Sequence, residues 1–511
     1  MRIVGESKRF AKNMAAKAFS LGLNLLISFF LTPYIIQHVG SEAYGFVGLA
    51  NDFVDCARIA TVALNSMALR FIAISLHKGD EEKANQYFSS VMIVNFLMCL
   101  ILLLPFGGVV IFLDKLLHIS KEILTDVRLL WSFVFINFLI SVQSSSFSVA
   151  LFAKNRIDKE SFRSAESVGL RALFLVACYA LFPPKVYYVG VSYCILTLYV
   201  FITNFYYTKK YLPNLTVSKK YFDKGAVKTL FASGSWNCLT KIATILSTGL
   251  DLVLVNLFVG KSEMGVVSVS KAMPNTCFSV FVILSSVFLP RITEEYAKGD
   301  MKKIAENGVF SIKLLGILAA IPIVILGVFG DAFYRLWTPT EDANLLWLLS
   351  AVAGAAFVFS LSTQNLWNVF TVTNRVKTSA LGLFITAALS IITVFISMAV
   401  VQDRTTRMFI IVGTSVLYNV LMSVFFLPQA AAKCLKLAKS TFYKPIFKTV
   451  LLIVTMTVLF FAIKQLFYIT GWMNFIIMFL AVSIVSFFLG IFFVLNKGER
   501  RWLINILTRH R

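Results

Sequence analysis

Residues 89–113 read SSVMIVNFLMCLILLLPFGGVVIFL, a stretch without a single charged side chain. An α-helix rises 1.5 Å per residue, so about 20 apolar residues cross the roughly 30 Å hydrocarbon layer of a bilayer. A helix also satisfies its own backbone hydrogen bonds where no water can. The stretch therefore predicts a membrane-spanning helix, and the rest of the chain is built in the same way. Of 511 residues, 58% are hydrophobic and only 14% are charged, and the mean hydropathy is +0.80. A soluble domain carries about 25% charged residues, so water is the wrong solvent for this composition.

Fourteen candidate spans follow, at 13–36, 43–66, 89–113, 127–151, 165–183, 186–207, 230–258, 264–290, 308–330, 345–370, 378–401, 408–428, 446–468 and 473–496. The first is too long for the apolar core of a cleavable signal and lacks a small-residue cleavage pattern. The net charge is +23, but the basic residues sit in short loops between apolar runs, which argues against nucleic acid as a partner. Lys and Arg accumulate on the cytoplasmic side of membrane proteins. With the N-terminus inside, cytoplasmic segments and their flanks hold 35 of the 48 Lys and Arg, against 8 on the other side. Both termini are then expected in the cytoplasm. The segment 67–88, containing LHKGDEEKANQYF, is polar enough to predict a short surface helix.

Val39-Gly40-Ser41-Glu42-Ala43-Tyr44-Gly45 is echoed by Val259-Gly260-Lys261-Ser262-Glu263-Met264-Gly265, 220 residues on. Lys78-Gly79-Asp80 is echoed by Lys298-Gly299-Asp300 at the same offset. The matched points lie six spans apart, so the halves share one orientation, as in parallel-repeat transporters. The expected class is an all-α integral membrane protein of about 14 transmembrane helices, with two six-helix bundles related by a parallel pseudo-repeat. The expected domains are 1–215, 216–430, and 431–511 with two further helices and a basic tail.

Charges at membrane depth mark cavities or partners, so their helical phase matters. In span 7, Asn237, Lys241, Thr244, Thr248 and Asp251 fall on one stripe if the winding is regular. Span 8 offers Ser268, Lys271, Asn275 and Ser279; span 2 offers Asp55, Arg58 and Asn65; span 1 offers Ser20, Asn24, Ser28 and Thr32. These faces predict a hydrated cavity whose cations, Arg58, Lys241 and Lys271, take an anionic substrate, with Asn24, Asp55, Asn237, Asp251 and Asn275 as polar lining. The competing interpretation is hydrogen bonding between packed helices, and Asp55 can pair with Arg58 one turn away. Asp251 and Glu166 are candidates for coupling to protons or Na+. No phosphate-binding GxxxxGK[ST] loop, HExxH motif or paired-cysteine motif is present, so no cofactor, metal or catalytic residue is expected.

The stretches LTPYIIQHVGSEAYGFVGLANDF (31–53), LDLVLVNLFVGKSEMGVVSVSKAM (250–273) and VFLPRITEEYAKGD (287–300) resemble bacterial polysaccharide flippases of the multidrug/oligosaccharidyl-lipid/polysaccharide (MOP) exporter superfamily. The resemblance implies two six-helix bundles around a cavity that opens alternately to each face of the inner membrane. It implies an undecaprenyl-diphosphate-linked oligosaccharide as cargo, an O-antigen, capsule or teichoic-acid precursor, with its diphosphate at Arg58, Lys241 and Lys271. The arginine-rich first span of peptidoglycan-precursor flippases has no counterpart here. The rivals are a cation-coupled multidrug exporter of the same superfamily and, more distantly, a membrane glycan polymerase.

Overall fold

The computed structural model describes the backbone of residues 2–154, 156–465 and 469–501, and their side chains apart from 2–18, 20, 21, 157, 158, 248, 290 and 297. Ser20 and Thr248 of the expected stripes thus lie outside the described side chains. All regular structure in the described residues is helical. We number the spans α1 (Arg2–Val39), α2 (Ser41–His77), α3 (Glu81–Ile111), α4 (Leu124–Ala153), α5 (Ile157–Leu181), α6 (Tyr187–Tyr211) and α7 (Lys224–Phe258). There follow α8 (Lys261–Tyr296), α9 (Met301–Trp337), α10, α11 (Val376–Val400), α12 (Arg404–Cys434), α13 (Tyr443–Lys464) and α14 (Trp472–Phe493). Thirteen are long and apolar enough to cross a bilayer unaided, and α10 makes up to a fourteenth. It is a pair, Ala343–Gly354 and Phe357–Thr363, bent by 45°. Gly354, a poor helix former, closes the first piece. In the second, the Thr363 hydroxyl donates to the Phe359 carbonyl at 2.9 Å, a contact that bends helices.

The expected surface helix within 67–88 does not exist as a separate element. Helix α2 runs on to His77, and α3 begins at Glu81 after a three-residue turn. Polarity there marks the ends of two long helices, which a hydropathy pattern alone does not separate from an interfacial segment. The repeat is explicit in this turn. Gly79 and Gly299 both take φ of +74°, open to glycine and strained for most side chains. The Asp80 and Asp300 carboxylates each cap the next helix, accepting the N–H of Lys83 and of Lys303 at 3.0 Å. That bond is the leading reason that the Asp300 carboxyl is held below its ordinary range. A further echo emerges from the structure: Arg156 and Arg375, 219 residues apart, precede α5 and α11 with nearly equal dihedrals, and each N–H bonds at 2.8 Å the carbonyl five residues back.

Contacts divide the chain into two compact units, one of residues 1–245 and 252–265, the other of 246–251 and 266–511. In the first, close helix contacts rest on small residues, as expected where lipid supplies no hydrophobic drive. A Cβ on Gly234 of α7 would lie 1.9 Å from the Ala63 carbonyl oxygen of α2. A Cβ on Gly45 of α2 would lie 3.0 Å from Cα of Gly265 in α8, its partner in the repeat. In the second unit, α9 is the hub. Gly316 faces Thr449 of α13, and Gly490 of α14 faces Ile317. Outward faces carry exposed apolar side chains such as Leu104, Leu173, Val400 and Met473, which suit contact with lipid.

Candidate functional site: ion pairs inside the spans

Each cation singled out within α2, α7 and α8 has a carboxylate partner. Asp55 serves two of them: Oδ1 lies 3.3 Å from Arg58 Nε, one turn along α2, and Oδ2 lies 2.9 Å from Lys241 Nζ on α7. This trio is accessible, with the Arg58 side chain 53% and that of Asp55 44% exposed. In the second unit, Lys271 Nζ meets Asp251 Oδ2 at 2.6 Å, and the Ser415 hydroxyl of α12 donates to Asp251 Oδ1 at 2.8 Å. Here the Asp251 side chain is only 6% exposed. The cations are thus compensated by acids, not left unpaired as an anion trap. A buried lone charge is driven to find a counter-ion, and both lysines did so across helices.

The stripe expected along α7 is broken. Residues Ile245–Gly249 form a π-helical turn, with i→i+5 bonds in place of i→i+4. The wider turn shifts the phase of everything after it. Lys241 keeps its place with Asp55 in the first unit, while Asp251 belongs to the second with Lys271. In α8 the face runs from buried Ser268, through half-buried Lys271, to exposed Asn275 and Ser279. Asn237 donates to the Ser66 hydroxyl at 3.1 Å, and Asn24 is half-buried. Asn65 is no cavity residue: it exchanges amide bonds of 2.9–3.0 Å with Asn95 of α3, which is fully buried. Thr32 bonds Tyr44 at 3.3 Å in the same packing role. Glu166 does not stand open either. It takes Arg163 one turn away and the Tyr199 hydroxyl, each at 2.5 Å.

Three charged residues escaped the sequence analysis as site members. Lys313 of α9 is buried and bonds both oxygens of Glu499, at 2.7 and 2.8 Å. Lys464 bonds Asp331 at 2.6 Å. Both lysines lie near span ends, where they read as loop flanks. Arg171 of α5, only 6% exposed, bonds the Ser192 hydroxyl at 3.3 Å and stacks 4.2 Å above the Tyr193 ring. Among the described residues no carboxylate pairs with it. Arg128 reaches the end of its helix, as long basic chains do, and bonds Asp114 at 2.8 Å.

A family described as "Polysaccharide biosynthesis protein" matches residues 10–296, more than half of the chain. The chain belongs to that family. A curated relative, the uncharacterized membrane protein EpsK of Bacillus subtilis, is 29% identical over 75% of this chain and 76% of its own. The fold is that of MOP exporters. An inward-facing MATE-family multidrug resistance transporter superposes with a TM-score of 0.63 at 12% identity, over 84% of this chain and 98% of its own. The eukaryotic MATE transporter AtDTX14 gives 0.62 at 13%, over 85% and 99%. A MOP-superfamily transporter from Pyrococcus furiosus, described as having a binding pocket of reversed polarity, gives 0.60 at 13%, over 84% and 97%. The polysaccharide-biosynthesis resemblance read from the α1–α2 and α7–α8 stretches therefore holds. The fold is the one that these solved transporters share.

Proposed function

We propose that this protein flips an undecaprenyl-diphosphate-linked oligosaccharide from the cytoplasmic to the outer leaflet of a bacterial inner membrane by alternating access. The observation that carries the reading is the Arg58–Asp55–Lys241 trio. Two cations share the exposed Asp55 carboxylate, with Asp52 close by, and a diphosphate can displace Asp55 from them through charge-assisted bonds. Arg58 and Lys241 bind the cargo, Asp55 holds them ready between cycles, and Asn24, Asn237 and Asn275 supply neutral polar contacts. Lys271 joins once Asp251 lets it go. Protonation of Asp251, or Na+ on it, would break that pair, which makes Asp251 the coupling site of choice; Glu166, held by Arg163 and Tyr199, is the weaker one. Residues 1–215 and 216–430 act as the two repeat bundles and 431–511 as the addition, a reading supported by the shared KGD geometry.

The test is transfer of a fluorescent undecaprenyl-diphosphate oligosaccharide across proteoliposomes containing the purified chain. Flipping that falls at least tenfold in Lys241→Ala bears the proposal out. Cargo left on one leaflet while cationic dyes are exported would assign the chain to multidrug export, and lengthening of the sugar would make it a polymerase.

A further inference from the structure

Where α11 begins and α12 ends, the second unit encloses a cavity of about 540 Å3. Its rim carries Arg375, Lys433, Lys436 and Lys439, and its wall carries Phe425 and Phe426. Among the described residues, no carboxylate pairs with any of these four cations. Like charges gathered at one cavity repel, and an anion among them relieves that repulsion.

Three independent features shape this place. Asn374 and Lys436, with φ of +54° and +58°, are the non-glycine residues with positive φ among those described. One immediately precedes Arg375 and the other is on the rim itself. Such conformations persist where surrounding structure holds them, and they gather at ligand sites. Second, α12 is interrupted by a π turn at Met422–Phe426, which ends at the two phenylalanines; π turns are frequent at functional sites. Phe426 packs on Gly382 of α11, where a Cβ would come within 2.4 Å of the ring, while Phe425 remains 58% exposed. Third, the α12 wall is braced: Gln429 donates to the Tyr443 hydroxyl at 3.0 Å, which donates to the Val424 carbonyl at 2.9 Å.

A basic rim above an aromatic wall at a helix end fits an anion that carries a hydrocarbon chain. A free soluble anion would use the rim and leave the wall idle. We propose that this cavity binds the phosphate of a lipid, with Arg375, Lys433, Lys436 and Lys439 on the headgroup and Phe425 and Phe426 along the first part of the chain. Basic pockets between membrane helices on the cytoplasmic side recognise phosphate headgroups in this way. The lipid phosphate has two sources, an anionic phospholipid of the leaflet or a polyprenyl diphosphate. The inference does not depend on transport.

Native mass spectrometry of the delipidated full chain tests it, with phosphatidylglycerol, phosphatidylcholine, undecaprenyl diphosphate and inorganic phosphate as probes. Phosphatidylglycerol or the diphosphate should be retained in clear preference to phosphatidylcholine. At about fivefold per cation, removing three should weaken retention about a hundredfold at low salt. The variant is Lys433→Gln/Lys436→Asn/Lys439→Gln; asparagine tolerates the left-handed turn at 436. Lys433→Arg/Lys439→Arg should retain the lipid. Preference for phosphatidylglycerol would assign the cavity to the leaflet, and preference for the diphosphate to a carrier lipid. Equal retention of phosphatidylcholine, unchanged binding in the triple variant, displacement by equimolar inorganic phosphate, or wild-type affinity indifferent to salt would each overturn the proposal.

Discussion

Two lysines of the candidate site are chemically alike and differ in what they leave behind. Removing Lys241 leaves Asp55 half in solvent and still beside Arg58. Removing Lys271 strands Asp251, whose side chain is only 6% exposed and whose other partner is the Ser415 hydroxyl. Breaking a buried pair from one side costs about 3–5 kcal/mol. Lys271→Ala is therefore expected to lower the amount of folded protein in membranes, while Lys241→Ala is not, as read by size-exclusion profiles of fluorescent fusions. Asp251→Asn/Lys271→Gln should recover folding by removing both charges. Normal yield of Lys271→Ala would mean that Asp251 is not buried as described. None of these partnerships was legible in the sequence beyond Asp55 with Arg58, because i, i+3 spacing is local while Lys313 and Glu499 are 186 residues apart.

Hydropathy revealed nearly every span, since being apolar for 20 residues needs no knowledge of neighbours. Motif spacing caught the repeat, because the KGD turns demand a glycine at φ of +74° and a capping Asp at both places. What it could not reveal was winding: the π turn in α7 and the 45° bend in α10 leave no mark on composition. At this scale a close backbone approach in the first unit is testable. A Cβ on Gly265 would lie 2.5 Å from the backbone C and O of Ser41, and backbone yields little. Gly265→Val is expected to destabilise by about 1–3 kcal/mol, seen as a lower Tm of the purified protein. Gly107→Val, on α3 where a Cβ meets nothing within 4 Å, should leave Tm unchanged. Equal behaviour of the two would discount the α2–α8 contact.

For the whole molecule, orientation rests on charge bias rather than on geometry. The excess of Lys and Arg in alternate segments is the ground for expecting both termini in the cytoplasm. A green fluorescent reporter fused after Arg511, a residue outside those described, is expected to fluoresce, and an alkaline phosphatase fused there to stay inactive. The opposite pattern would mean an odd number of crossings and would detach α10 from the count of spans, since among the described residues its two bent pieces are the pair that can enter and leave by the same face.

The π turn of α7 carries a consequence for how this chain tolerates change. Five residues, Ile245–Gly249, complete a coil that ordinary winding would close with four bonds' reach. Delete any one of them and the helix can relax to regular pitch with Asp251 still at its present azimuth, because nine residues at about 100° each reach the angle that ten reach through the wider turn. Lys271 and Lys241 would both keep their counter-ions. Tightening the coil to regular pitch without shortening it would instead carry Asp251 about 100° round the axis, so this stretch should forgive the loss of a codon more readily than a replacement that straightens its winding.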